Sequence, residues 1–281
     1  MRIYRLFIVT ICLLFVVTAC RYKLTTVISQ TDTVSSDTLP YIILSADTID
    51  PGCNHKEDDG CTQSSYSYPV FQSADTAVNN FLNAEVLSAF TLNDSSEVTP
   101  DEYNISFLRE YLEYTHEMEE LANNQFGWYQ ALNIYVICQE GKYISIGRDW
   151  DGYTGGAHGG LYSVNSNYDI SKKRKIEMSE VLDIGNADLK KLGEKYFRKD
   201  MAIPDSLSLF EAGYFTWGDQ DLKIKEGEFY FNDNFAIDKT GISFFYNQYE
   251  IAPYVQGTAE FTIPYSELSP FLKIQDLLPS K

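Results

Sequence analysis

The sequence contains little positive charge for its size. Its 281 residues include 22 Lys and Arg against 40 Asp and Glu, which gives a formal net charge of −18 at pH 7. A surface this acidic repels phosphate backbones and argues against a nucleic-acid partner. It would attract a cationic partner instead, although exported proteins also carry acidic surfaces for solubility alone. The charge therefore favours a basic protein as a partner without identifying one.

Long apolar runs are also scarce, and none after the N-terminal region approaches the ~20 residues of a transmembrane helix. The run Leu6–Val17 follows two arginines and is too short to span a bilayer comfortably, which predicts a signal peptide over residues 1–19. It ends in the letters VTAC, and small residues before Cys20 resemble the bacterial lipobox. An ordinary signal peptide with a chance cysteine is the alternative.

Lipid attachment at Cys20 predicts where the protein resides. We expect a lipid-anchored protein of the bacterial cell envelope, facing the periplasm where an outer membrane is present. The anchor would be its only contact with the membrane.

Cysteine is scarce, with five residues in the chain. In an oxidising envelope, Cys53 and Cys61 are close enough in sequence to form a small disulfide-closed loop. His55 inside that loop suggests zinc, but the spacing matches no standard zinc pattern, so we predict neither a metal nor another cofactor. Cys138 lies in the alternating apolar run LNIYVIC, which predicts a buried free thiol.

The motifs of common hydrolases are missing. There is no G-x-S-x-G elbow for a serine nucleophile. A glycosidase normally needs two carboxylates at a set separation, and Glu250 has no identifiable partner. His158, one of three histidines, lies among glycines in YTGGAHGG, where a hydrogen bond across a turn is favoured over ligand contact or catalysis. We therefore predict no catalytic residue.

Helical and strand periodicity alternate along the chain without a regular order. Apolar spacing predicts helices over 75–90, 186–201 and from Thr99, where Pro100 and Glu102 form a capping signature. Two-residue alternation predicts strands over 61–71, 128–139, 142–153, 160–170, 228–233, 235–246 and 259–265. This order indicates an α+β fold of antiparallel sheets with packed helices.

Two separated passages carry a resemblance to a known family. The segments YTGGAHGGLYSVNSNYDI (153–170) and FFYNQYEIAPYVQGTAEFTIPYSEL (244–268) resemble the extracellular domain pair of the RsiV/PdaC type, a domain-of-unknown-function family with YTGGAH and Y-x-I-A-P-Y motifs. The segment 61–71 resembles the start of the first domain. The matching positions of the second passage are Tyr249, Ile251, Ala252, Pro253, Tyr254, Gly257, Ile263, Pro264 and Tyr265.

The resemblance covers about residues 61–272 and implies two small α/β subdomains. We expect them to follow the signal peptide and a tether that carries one strand near its end. The expected boundaries are 1–19 for the signal peptide, 20–60 for the tether, 61–165 and 166–272 for the subdomains, and 273–281 for a tail.

The resemblance implies recognition rather than chemistry. One family member is an anti-sigma factor whose outer domain binds lysozyme, and another carries the pair beside a separate polysaccharide deacetylase domain. This sequence shows neither the anti-sigma region nor the deacetylase domain. We expect an envelope binding module without catalysis, which recognises a basic lysozyme-like protein or a peptidoglycan fragment. A hydrolase of cell-wall glycans that uses His158 or Glu250 is the alternative.

The loop NQYEIAPYVQG is the best candidate for the contact surface. Tyrosines offer a large rigid contact area with a polar tip and are enriched where proteins bind proteins. Tyr249, Pro253, Tyr254 and His158 are the candidate ligand-binding residues. The alternative is that the tyrosines belong to the core.

Overall fold

The computed structural model describes residues 24–27, 39–50, 60–92, 95–118, 127–217 and 225–274. The predicted signal peptide, Cys20 and Cys53 lie outside these residues. Within the described part of the chain, no helix is long and apolar enough to cross a membrane.

The N-terminal unit contains a seven-stranded sheet whose spatial order follows the sequence. Its neighbouring strands are antiparallel except β3 and β4, which run parallel. A parallel pair needs a crossover connection, and helices α1 (Thr76–Leu87) and α2 (Pro100–Met118) provide it. The strands are β1 (Leu24–Val27), β2 (Tyr41–Ile49), β3 (Gln63–Phe71), β4 (Tyr129–Glu140), β5 (Tyr143–Tyr153), β6 (Gly160–Asp169) and β7 (Arg174–Ile176).

The two helices cover one face of this sheet. Alternation along β4 and β5 directs Ile134 and Ile146 to that face, where they share a core with Leu82 of α1. Helix α1 begins where the sequence predicts, because the Asp75 side chain accepts hydrogen bonds from the backbone N–H groups of Ala77 and Val78. The N-terminal core is therefore a sheet–helix layer.

The C-terminal unit has a smaller antiparallel sheet in the order β10-β9-β8. Helix α4 packs on it so closely that a Cβ atom on Gly193 would lie 2.3 Å from the Phe231 ring. Only a glycine permits this approach. The elements are α3 (Met178–Val181), α4 (Ala187–Asp200), β8 (Phe235–Ile237), β9 (Gly241–Tyr246), β10 (Ala259–Pro264) and α5 (Tyr265–Leu268).

The α+β class is confirmed, with one parallel pair among the antiparallel strands. Two of the expected domain boundaries need correction. The boundary between residues 165 and 166 falls inside β6, and the first sheet continues to Ile176. The strand expected near the end of the tether is β2, which pairs along its whole length with β3 and so belongs to the first sheet.

The strand predicted over 228–233 is wrong. This segment has no ladder partner among the described residues, and the next strand begins at Phe235. Phe229 and Phe231 are nevertheless buried, because they pack against α4 and the face of the small sheet. The alternation of aromatic residues thus correctly indicated that Phe229 and Phe231 are buried, but it did not indicate pairing with another strand.

Candidate functional site

The two units meet along the outer edge of β6. Strand β7 pairs with only the last part of β6, so the backbone groups nearer its start need other partners. Asn247 supplies two of them: its Oδ1 accepts from Ser163 N–H at 2.7 Å, and its Nδ2 donates to Ser163 O at 3.0 Å. Backbone N–H groups of the same strand also donate to side chains in the pairs Asn165–Asn234 and Leu161–Gln248.

The loop after β9 is braced from inside by Glu250. One carboxylate oxygen accepts from Asn247 N–H at 2.8 Å, and the other accepts from Asn232 Nδ2 at 2.6 Å. The Glu250 carbonyl accepts from Trp217 Nε1 at 2.9 Å. Tyr249 adopts a φ of +64°, a region that bulky residues rarely occupy. The bracing holds Tyr249 in this conformation.

The glycine-rich segment between β5 and β6 forms the facing loop. Gly155 and Gly156 have φ values of +97° and +93°, which turn the chain sharply. A Cβ atom on Gly159 would lie 2.9 Å from the Gly152 carbonyl oxygen, so a glycine is needed there as well. This turn brings His158 against the loop after β9.

His158, Tyr249 and Tyr254 form a compact group that we call the His158 cluster. The rings of His158 and Tyr254 stack at 3.7 Å between centroids with an 18° interplanar angle. The Tyr254 hydroxyl donates to the Gly159 carbonyl at 3.1 Å, and the Tyr249 ring centroid lies 5.7 Å from that of Tyr254. The cluster joins two loops that are 91 residues apart in sequence.

The hydrogen bonds of His158 favour a positioning role over catalysis. Its Nδ1 lies 2.9 Å from the Gly159 carbonyl oxygen, and its Nε2 lies 3.3 Å from the Tyr249 hydroxyl. A protonated Nδ1 would donate to the carbonyl and leave Nε2 as the acceptor for tyrosine. Among the described residues, no carboxylate orients this ring as a general base would require.

The outer surface of the cluster faces solvent. Tyr249 is 55% exposed, and Val255, which follows Tyr254, is 88% exposed. Tyr129 and Tyr153 extend the aromatic surface, with their rings stacked at 6.3 Å. Burial, reinforced by the neighbouring Asp151 carboxylate, raises the pKa of Tyr129. The arrangement is an exposed aromatic surface on a rigid support.

The structure therefore brings together three of the four predicted ligand-binding residues. Pro253 is exposed and precedes the 3-10 turn Tyr254–Gln256. The tyrosines are not part of the main core, since Tyr249 is exposed and Tyr254 is half-buried. Sequence reasoning missed the supporting residues Asn247 and Trp217, because an amide or indole contacting a distant strand leaves no periodic signal.

The cysteines agree with expectation where they are described. Cys138 is buried and free, and its burial raises the thiol pKa to about 11. Cys61 is disulfide-bonded, while Cys53 lies outside the described residues, so their pairing stays a prediction. Within the described ranges, no group of three or more His, Cys, Asp or Glu side chains has a geometry suited to a metal ion.

Glu260, an exposed residue on β10, gives the C-terminal unit a pH-dependent stability. Desolvation and then the carboxylates Asp149, Asp238 and Asp200 raise its pKa above the ordinary value of 4.5. Ionising a group whose pKa is raised by folding costs stability, and the cost is present above the folded pKa.

Glu260→Gln is therefore expected to increase the free energy of unfolding at pH 7. The gain should vanish as the pH falls below 4.5, where Glu260 is protonated in both states. Urea unfolding at pH 4 and pH 7 measures this difference, with Glu267→Gln on α5 as the control. An equal effect of Glu260→Gln at both pH values would contradict the expectation.

Two family models match the chain. The model described as deacetylase PdaC matches residues 55–160. The model described as a protein of unknown function, DUF3298, matches residues 183–266. The His158 cluster draws His158 from the first matched region and both tyrosines from the second.

Two solved structures share the fold at 20% sequence identity. A DUF3298 family member from Bacteroides fragilis has a TM-score of 0.69 and covers 86% of this chain and 97% of its own. A DUF3298 family protein from Pseudomonas aeruginosa has a TM-score of 0.60, with coverages of 87% and 99%. Among curated proteins, none is similar enough to this sequence to match it.

Proposed function

Because this chain carries a PdaC domain followed by a DUF3298 domain, the pair of RsiV/PdaC-type proteins, we propose that it is a binding module of the cell envelope. It has no catalysis of its own and recognises a basic lysozyme-like protein or a wall-derived ligand. The contact is made by the His158 cluster.

The observation that carries this proposal is the strained and exposed Tyr249. Backbone strain persists only where the surroundings enforce it, and it concentrates at functional positions. Here Glu250 and Asn247 hold the backbone while the Tyr249 ring stays 55% exposed. A rigid exposed tyrosine can bind a protein surface with little loss of side-chain entropy.

The geometry gives less support to the alternative of a wall hydrolase. Both oxygen atoms of the Glu250 carboxylate already accept hydrogen bonds inside the loop. His158 is held by a carbonyl and a tyrosine hydroxyl instead of an orienting carboxylate. A His158→Gln variant that folds but loses turnover on peptidoglycan fragments would favour the hydrolase.

The direct test is binding of the full-length protein to hen lysozyme and to soluble muropeptides at low and physiological salt. With a net charge of −18, a cationic partner should associate faster than a neutral one. Raising the salt should slow association several-fold and change dissociation little, since surface steering is screened beyond about 10 Å. Absence of lysozyme binding at low salt would remove the cationic-partner proposal.

Anchoring through Cys20 is a separate part of the proposal. Cys20→Ala is expected to abolish acyl labelling and to release the protein from the membrane fraction of a cell. Fractionation and labelling with a fatty-acid analogue measure both effects. If Cys20→Ala stays in the membrane fraction, the proposed lipid anchor is wrong. The binding function is tested separately by the lysozyme experiment.

A further inference from the structure

A cavity lies on the opposite face of the first sheet from the C-terminal unit, between the end of α1 and strands β4 to β7. Its volume is about 230 Å³, which suits a ligand smaller than a typical drug molecule. Apolar side chains form part of the lining. The polar lining consists of Glu85, Ser88, Arg148, Ser166, Tyr168 and Lys175.

The sheet wall of this cavity carries two positive side chains, Arg148 and Lys175, that form no ion pair with the described residues. Arg148 on β5 is half-buried, and its guanidinium makes no ion pair and no side-chain hydrogen bond with the described residues. Lys175 on β7 also makes no ion pair with the described residues, but it is exposed, so the desolvation cost falls on Arg148 alone. A partly buried unpaired charge costs free energy, and the chain has 40 acidic residues from which to supply a partner. An unpaired arginine in this protein therefore points to an external anion.

The helix wall carries the opposite charge. Glu85 lies in the last turn of α1, where the helix dipole is also negative. Burial first and then the nearby Glu85 carboxylate raise the pKa of Tyr168 to about 12. Glu85 and Tyr168 line the same cavity as Arg148.

We propose that this cavity binds a small zwitterion, an amino acid or a short peptide, with its carboxylate on Arg148 and Lys175 and its ammonium group at Glu85. The planar guanidinium matches a carboxylate in geometry. A phosphate dianion fits less well, because Glu85 and the end of α1 would repel the second negative charge. This site is separate from the His158 cluster and does not depend on its function.

Three probes dissect the two halves of the site. Alanylalanine carries both charges, its N-acetyl derivative lacks the ammonium group, and its C-terminal amide lacks the carboxylate. Titration calorimetry or NMR with the full-length protein is expected to give at least about tenfold weaker binding for either derivative. Equal affinities for all three probes, no alanylalanine binding at millimolar concentrations, or tighter binding of inorganic phosphate would overturn the proposal.

Variants connect the effect to the named residues. Arg148→Gln is expected to weaken alanylalanine binding about tenfold or more. Glu85→Gln should reduce the preference for the free dipeptide over its N-acetyl derivative. Arg109→Gln on α2 removes the same charge outside the cavity and should leave binding unchanged.

The melting temperature of Arg148→Gln shows whether Arg148 binds a ligand or stabilises the fold. Since Arg148 has no partner within the described residues, Arg148→Gln without ligand should melt at the wild-type temperature or above it. Its melting temperature should no longer rise on adding alanylalanine, whereas that of the wild type should. A lower melting temperature for the ligand-free variant, or unchanged dipeptide affinity, would show that Arg148 does not serve a ligand.

Discussion

Replacing Phe197 with alanine is expected to destabilise the protein by about 3–5 kcal/mol. Phe197 on α4 is fully buried, and its ring lies within 5.2–6.1 Å of five other aromatic rings. Deleting it removes these contacts and leaves a cavity that rigid aromatic neighbours fill poorly. Those neighbours are Tyr214, Phe215, Phe229, Tyr246 and Phe261.

The same substitution should disturb the candidate site from a distance. Tyr246 ends β9 immediately before Asn247, whose side chain bonds the edge of β6. Loss of packing beneath Tyr246 should loosen that bond and the loop that follows.

Urea unfolding measures the loss of stability for Phe197→Ala, and Phe210→Ala provides the matched control. Phe210 belongs to the same unit but is 49% exposed, so its truncation should cost about 1 kcal/mol or less. Similar losses for the two variants would mean that the aromatic core at α4 does not stabilise the unit as its packing indicates.

Tyr254→Ala is expected to weaken binding of a lysozyme-like partner by about 2 kcal/mol or more, which is roughly thirtyfold in Kd. The substitution removes the ring that stacks on His158 at 3.7 Å and the hydroxyl that bonds the Gly159 carbonyl. Without them, the contact of the Tyr249 hydroxyl with His158 Nε2 at 3.3 Å is what remains of the His158 cluster to join the two loops. The loss should lie mainly in faster dissociation, because most interface substitutions act there.

Surface plasmon resonance on the full-length variant resolves the two rates. Tyr254→Phe keeps the ring stack and should stay close to wild type. Tyr162→Ala removes an exposed tyrosine from the helix-covered face of β6 and serves as the control. If the partner dissociates from Tyr254→Ala at the wild-type rate, the His158 cluster is not part of the interface. Unfolding of that variant would show that Tyr254 is a structural residue.

The local signals of the sequence predicted most elements correctly. Asp75 caps α1 as its position indicates, and the hairpin β4–β5 and strand β6 follow the two-residue period. These features depend on neighbours within a few residues, so the sequence alone specifies them. At Phe229 and Phe231 the alternation reflects burial without strand pairing, so the strand predicted there was wrong.

The acidic charge, the α+β class, the free buried Cys138 and the two segments that contain His158 and Tyr254 could all be predicted from the sequence. Three findings required the folded structure: these two residues stack, the Glu250 carboxylate is hydrogen-bonded inside its loop, and Arg148 forms no ion pair with the described residues. His158 lies 91 or more positions from Tyr249 and Tyr254 in the sequence. Contacts between such distant residues depend on how the sheet edges and helices pack. Periodicity and spacing carry no information about such packing, because they describe one element at a time.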